Sequence, residues 1–116
     1  MPLLRLIALY WQIVSGGILL VITFASLIPL SELPEFPGSD KTHHFVSYAC
    51  LMFPVALSRP KHYLFIGFFF IAWSGAIELL QPLVNRFAEW GDLAANSGGI
   101  VLGILFAAVI RLFVKF

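Results

Sequence analysis

The chain has 116 residues, of which 60% are hydrophobic and 16% aromatic, while only 11% carry a charged side chain. Soluble domains are about half apolar and about a quarter charged, so this composition excludes an ordinary soluble helical bundle and indicates an integral membrane protein. We therefore expect membrane lipids as its surroundings and no nucleic acid as a partner.

Four apolar stretches separate the charged and proline-rich parts of the chain, at about 7–30, 40–57, 63–81 and 92–114. A helix needs roughly 20 such residues to cross a bilayer core. The first stretch is far longer than the core of a secretory signal, so we expect a retained helix. The sequence thus predicts an all-α fold with a single domain over residues 1–116, an antiparallel bundle of four transmembrane helices.

The charged residues predict the orientation of these helices. Lys and Arg near helix ends are retained on the cytoplasmic side, and five of them would share one side: Arg5, Arg59, Lys61, Arg111 and Lys115. All six carboxylates would fall on the other side: Glu32, Glu35, Asp40, Glu78, Glu89 and Asp92. We expect both termini to be cytoplasmic and the acidic loops to face outward.

Polar residues mark the start of the second helix. Asp40, His44 and Tyr48 are spaced i, i+4, i+8, so they form one stripe that runs about 6 Å deeper at each step. Ionisable groups at such depth usually face the bundle interior or a wet cavity. The alternative is interfacial anchoring, with Asp40 as a helix cap, Lys41 reaching towards the headgroups and His43 at the rim.

A second polar group closes the third helix. Glu78 and Gln81, at i and i+3, share a face just before Pro82 ends the helix. A carboxylate one turn inside a membrane needs a partner, so a structural ion pair of Glu78 with Arg86 or Lys41 is the alternative to a functional role.

The fourth helix begins with Asp92 and Asn96, which share a face at i and i+4, and Asp92 is well placed to cap the helix. Below them, small residues recur once per turn at Ala95, Gly99 and Gly103. Such a row lets helix backbones approach closely, so we expect this face to pack against a neighbouring helix. The Gly16-Gly17 pair of the first helix could supply that neighbour.

These residues together resemble the VanZ-like membrane proteins over about 26–103. The resemblance depends on the ordered combination of Asp40, Lys41, His44 and Tyr48, then Glu78 and Gln81, then Arg86, then Asp92 and Asn96 with glycines after them. It implies a small multi-pass protein of the bacterial cytoplasmic (inner) membrane that affects the cell envelope. One member of that family is associated with resistance to the glycopeptide teicoplanin.

The predicted bundle would bring these side chains to one outward-facing pocket. We expect it to bind a polar or anionic headgroup of a lipid or a lipid-linked cell-envelope precursor. Lys41 and Arg86 would meet phosphate, the arginine through a bidentate fork, while Gln81 and Asn96 would bind sugar or peptide groups. The sequence does not decide whether the chain forms a homo-oligomer.

Catalysis is an alternative use of the same residues. His44 beside a carboxylate could act as a general base and Glu78 as a general acid, in a lipid-headgroup hydrolase or transferase. The chain has no activated serine or cysteine motif, no HExxH and no glycine-rich phosphate loop, so we expect binding rather than an enzyme.

Metal binding and transport are two further alternatives. Asp40, His44, Glu78 and Asp92 carry ligand atoms, but their spacing matches no metal-site signature, so we expect no metal and no cofactor. Ion transport would need a continuous polar path, and the inner halves of the second and third helices offer only Ser58, Cys50 and Ser74 at scattered positions.

Overall fold

A computed structural model describes residues 2–28, 40–84 and 90–114 of the chain. Every regular element in these ranges is helical, as the sequence predicts. The elements are α1 (Pro2–Leu9), α2 (Trp11–Ser26), α3 (Asp40–Ser58), α4 (Tyr63–Leu80) with a short 3-10 extension (Gln81–Val84), and α5 (Trp90–Phe113).

The first predicted span is divided in the structure. Instead of one helix over 7–30, α1 and α2 meet at an angle of 76° around Tyr10. Neither proline nor glycine stands at this break, so its cause is packing: Ala8 is buried, and Leu4 and Ile7 lie against the core beside α3. The predicted outer end of this span lies outside the described residues.

Two helices among the described residues are long and apolar enough to cross a membrane: α4 with its 3-10 extension, and α5. The bent pair α1 and α2 gives a third candidate if it forms one span. Helix α3, which begins with Asp40 and Lys41 and then has His43 and His44, is not among them. The structure therefore supports a helical membrane protein with two or three candidate spans, and four spans remain a prediction.

Helices α3 and α5 run parallel, side by side. Gly99 lies against Phe45 near their beginnings, and the Arg111 side chain donates to the Leu57 carbonyl near their ends. The opposite direction of α4 follows from Ser74, which meets Asn96 at the beginning of α5. The chain thus alternates in direction between α3, α4 and α5.

Helix α2 runs parallel to α4. The Trp73 indole donates to the Thr23 hydroxyl at 2.8 Å, and one helical turn or two further on the Gln81 amide donates to the Ser26 carbonyl at 3.2 Å. Consequently the last residues of α2 and α4 and the first residues of α3 and α5 lie at the same end of the bundle, which we call the polar end.

Helix α3 forms the centre of the bundle and packs against α1, α2, α4 and α5. Its buried side chains include Tyr48, Leu51, Met52, Val55, Ala56 and Leu57. The other helices leave large apolar side chains exposed, including Leu20, Phe24, Phe65, Phe68, Leu105 and Phe106. These exposed apolar faces are suited to contact with lipid tails, whereas α3, the least apolar of the long helices, is enclosed by the others.

The small residues of α5 bring its backbone onto α3. A Cβ atom added at Gly103 would lie 2.7 Å from the Ala49 carbonyl oxygen, and one at Gly99 would overlap the Phe45 carbonyl oxygen still more closely. Added Cβ atoms at Gly16 and Gly17 would meet nothing within 4 Å. The neighbour of this face is therefore α3 and not the glycine pair of α2.

Two side chains satisfy backbone carbonyls of α3. Pro54 lies inside this helix and has no N–H, so the helical hydrogen bond to the Cys50 carbonyl is missing, one residue before the carbonyl that Ser15 reaches. Ser15 of α2 donates to the nearby Leu51 carbonyl at 2.9 Å. At the end of the helix, the guanidinium of Arg111 donates to the Leu57 carbonyl, one of the groups that a helix leaves without a partner in its last turn.

Candidate functional site

Polar side chains from three helices gather at the polar end, most of them buried. We call this group the polar cluster: Lys41, His44 and Tyr48 of α3, Ser74 and Glu78 of α4 with Gln81 directly after it, and Asp92 and Asn96 of α5. The alternating direction of the helices produces this arrangement, because the residues come from the beginnings of α3 and α5 and the end of α4.

The deepest part of the polar cluster joins one residue from each helix. The Asn96 amide nitrogen donates to the Ser74 hydroxyl at 2.7 Å. The Tyr48 phenol forms a side-chain hydrogen bond with Ser74 and interacts electrostatically with the Glu78 carboxyl. Tyr48 and Asn96 are each 1% exposed, and Ser74 is fully buried. These contacts fix α3, α4 and α5 to one another one to two turns below the polar end.

Asp92 forms the outer part of the polar cluster together with two residues of α3. Its carboxylate lies 3.9 Å from the Lys41 ammonium nitrogen and 4.0 Å from the His44 ring nitrogen Nε2. Both distances are longer than a direct hydrogen bond, so the interactions are electrostatic. The Asp92 side chain is buried, whereas the Lys41 side chain is 53% exposed and crosses Gly91, where an added Cβ would lie 2.8 Å from its Cε. Lys41 therefore lies at the solvent-exposed side of the cluster, which we call its mouth.

Gln81 links the cluster to α2 with only one end of its amide. Its nitrogen donates to the Ser26 carbonyl, and because a carbonyl can only accept, the identities of nitrogen and oxygen are fixed. Its oxygen Oε1 is buried without a hydrogen-bond partner among the described residues, and so is the oxygen Oδ1 of Asn96. Among the described residues, the amides of the cluster thus leave two buried acceptors without a donor.

The buried Glu78 stands one turn beyond Ser74 on α4 and interacts electrostatically with the Tyr48 phenol. Its two predicted ion-pair partners are Arg86, which lies outside the described residues, and Lys41, which lies 3.9 Å from Asp92. The side chain of Asp40 also lies outside the described part of the structure. Burial of the Glu78 carboxyl makes a compensating charge or hydrogen bond necessary.

Metal ligation receives no support from the described part of the chain. Within 2–28, 40–84 and 90–114, no three His, Cys, Asp or Glu side chains converge as a metal site requires. Cys50, the lone cysteine, is exposed on α3.

Sequence reasoning missed Ser74, which it treated as an isolated polar residue of the inner half of its helix. The signal was the spacing of Ser74, Glu78 and Gln81 at i, i+4 and i+7, which places all three on one face of α4. No pattern in the sequence indicates that the Ser26 carbonyl accepts a hydrogen bond from Gln81, because this contact depends on the position of α2 beside α4.

Fold and site together define a class: a helical membrane protein whose alternating helices enclose a buried polar cluster at one end. Residues 6–111 match the family model VanZ/LLP1, and the chain belongs to this family. The resemblance inferred from the motifs is thereby confirmed. No curated protein and no solved structure matches the chain.

Proposed function

We propose that the polar cluster is an outward-facing pocket that binds a polar or anionic headgroup, either of a membrane lipid or of a lipid-linked cell-envelope precursor. In this proposal the protein resides in the bacterial cytoplasmic membrane with both termini inside and its acidic loops outside. Binding modulates the envelope, and with it the susceptibility of the cell to glycopeptides such as teicoplanin.

The main support for the proposal is that two buried amide oxygens have no hydrogen-bond partner within the described part of the chain and belong to the same cluster as an exposed cation. The oxygens of Gln81 and Asn96 are buried and accept no hydrogen bond among the described residues, while the Lys41 side chain is half exposed at the mouth. A buried unsatisfied polar group costs about 1–3 kcal/mol. A polar ligand that donates to these oxygens would recover part of that cost.

Charge at the mouth favours a headgroup that contains phosphate. The Lys41 ammonium is the cation at this position in the described part of the chain, and Arg86, in the segment between α4 and α5, would add a bidentate donor in our proposal. Gln81 and Asn96 would meet the sugar, peptide or alcohol part of the headgroup. The exposed apolar faces of the helices would keep the acyl chains of such a ligand alongside the protein.

Glycopeptide susceptibility tests the proposal in cells. In a bacterial strain that lacks its own family member and is protected by this chain, Glu78→Ala and Arg86→Ala should reduce protection. Arg5→Ala, which removes an exposed charge at the opposite end, is the matched control and should protect fully. Immunoblots of the membrane fraction would establish that the original chain and the variants are present in equal amounts. A Glu78→Ala and an Arg86→Ala variant that fold normally and protect as well as the original chain would overturn the proposal.

The distance of 4.0 Å between the His44 ring and the Asp92 carboxylate favours a second candidate function, an intramembrane headgroup hydrolase or transferase. His44 would act as general base, oriented by Asp92, and Glu78 as general acid. The purified protein would be incubated with a bacterial lipid extract and the products followed by mass spectrometry. Time-dependent product that is lost in His44→Ala and Glu78→Gln would support catalysis, and an unchanged lipid profile with the original chain would exclude it for those lipids.

A further inference from the structure

The inner part of the polar cluster is chemically one-sided. Each of its two amide nitrogens already has a hydrogen-bond partner, since the Gln81 nitrogen donates to the Ser26 carbonyl and the Asn96 nitrogen donates to Ser74. The amide atoms left without partners among the described residues, Gln81 Oε1 and Asn96 Oδ1, are both acceptors. The buried carboxyl groups of Glu78 and Asp92 add further acceptor oxygens to the same region. A ligand group that pairs with these unpartnered oxygens is therefore a donor.

Phosphate does not suit this inner region. Its oxygens would face amide and carboxyl oxygens, and like charges in a region of low dielectric constant repel one another strongly. Phosphate suits the mouth, where the exposed Lys41 ammonium lies 3.9 Å from Asp92. The cluster thus has two different ends, an inner end for a donor and an outer end for an anion.

Between a neutral hydroxyl and a cationic ammonium, the inner carboxyl groups favour the cation. An ammonium carries three donors and a positive charge, so it can pair with amide oxygens and with Glu78 or Asp92 at once. Hydrogen bonds to charged groups are roughly twice as strong as bonds between neutral groups. A primary ammonium is therefore the donor that fits the described residues best.

We propose that the polar cluster selects a zwitterionic headgroup with a primary ammonium, in which the ammonium enters between Gln81, Asn96 and Glu78 while the phosphate stays at Lys41. This inference rests on the proposed function, namely that the cluster binds a headgroup, and specifies its chemical class.

A comparison of three lipids with identical acyl chains tests the selectivity on the original chain. The purified protein in detergent is titrated with phosphatidylethanolamine, phosphatidylcholine or phosphatidylglycerol, and binding is quantified by native mass spectrometry. Phosphatidylcholine keeps the phosphate and the positive charge but has no N–H donor, and phosphatidylglycerol replaces the ammonium by hydroxyl groups. Because a hydrogen bond to a charged group contributes about 1.5–3 kcal/mol, phosphatidylethanolamine should bind at least about tenfold more tightly than either alternative.

Variants locate the selectivity in the cluster. Gln81→Leu and Asn96→Leu remove the two acceptors at similar side-chain volume and should reduce the preference for phosphatidylethanolamine to less than about threefold. Gln12→Leu, at an exposed position of α2, makes the same chemical change elsewhere and should keep the full preference.

The outcomes separate this inference from the function on which it rests. Saturable binding with equal affinity for all three lipids, or with preference for phosphatidylglycerol, would overturn the ammonium selectivity and leave headgroup binding intact. An absence of saturable binding for all three lipids would overturn the inference and would also remove membrane phospholipids from the proposed function, leaving only a lipid-linked precursor as its ligand. A preference for phosphatidylethanolamine that persists in Gln81→Leu and Asn96→Leu would also overturn the inference, because the selective groups would then lie elsewhere.

Discussion

Alanine in place of Gly99 or Gly103 would force α3 and α5 apart. At Gly103 the new Cβ would lie 2.7 Å from the Ala49 carbonyl oxygen and 3.1 Å from the Met52 Cβ. Comfortable contacts between such atoms begin near 3.5 Å, so the two backbones must separate locally by roughly 0.8 Å. At Gly99 the overlap with the Phe45 carbonyl is closer, and the separation must be larger.

The expected cost follows from two opposing terms. Overpacking of a well-packed interface costs about 1–3 kcal/mol, while replacement of glycine by alanine inside a helix gains up to about 1 kcal/mol. We therefore expect Gly103→Ala to lower the free energy of unfolding by up to about 2 kcal/mol, and Gly99→Ala to lower it further.

Gly75 of α4 supplies the matched control, because a Cβ added there meets nothing within 4 Å. The free energy of unfolding would be measured for the three alanine variants by SDS titration in mixed micelles, with far-ultraviolet circular dichroism as the probe. Gly75→Ala should equal or exceed the original stability. If Gly99→Ala and Gly103→Ala were as stable as Gly75→Ala, the close backbone contact of α3 with α5 would be refuted.

Two hydrogen bonds to carbonyls of α3 give further predictions in the same assay. Ser15→Ala removes the donor to the Leu51 carbonyl and should cost about 1 kcal/mol, whereas Ser97→Ala removes only a bond within its own helix and should cost less than about half of that. Equal losses in the two variants would contradict the prediction that the bond between α2 and α3 stabilises the protein more than a bond within one helix. Arg111→Met should cost about 1.5–3 kcal/mol because it removes the charged donor from the last turn of α3. Arg5→Met, at an exposed position, should change the free energy of unfolding little. A similar loss of stability in both arginine variants would contradict the capping role of Arg111.

The sequence predicted the extents of the longer helices because charged, proline and glycine residues punctuate the apolar runs. For 40–57, 63–81 and 92–114, the structure has Asp40–Ser58, Tyr63–Leu80 and Trp90–Phe113. The bend at Tyr10 could not be predicted in this way. No helix-breaking residue stands there, and the bend depends on the packing of α1 against α3, a tertiary contact.

Helical spacing also predicted which side chains of the polar cluster face the bundle interior. The stripe through His44 and Tyr48 and the pair Asp92 and Asn96 do face the bundle interior, and His44 lies near the Asp92 carboxylate. Spacing along one helix cannot show which neighbouring helix supplies a partner. For that reason Ser74 went unnoticed as the acceptor of Asn96, and α3 could not be named as the neighbour of the glycine face.

Native mass spectrometry of protein released gently from bacterial membranes tests headgroup binding most directly. The original chain would be compared with the double variant Glu78→Ala, Arg86→Ala and with the exposed control Arg5→Ala, Gln12→Ala. We predict an envelope lipid that purifies with the original chain and the control but is lost from the double variant at the cluster. An equal lipid profile in all three proteins would contradict the account and reduce the polar cluster to a structural network that joins α3, α4 and α5.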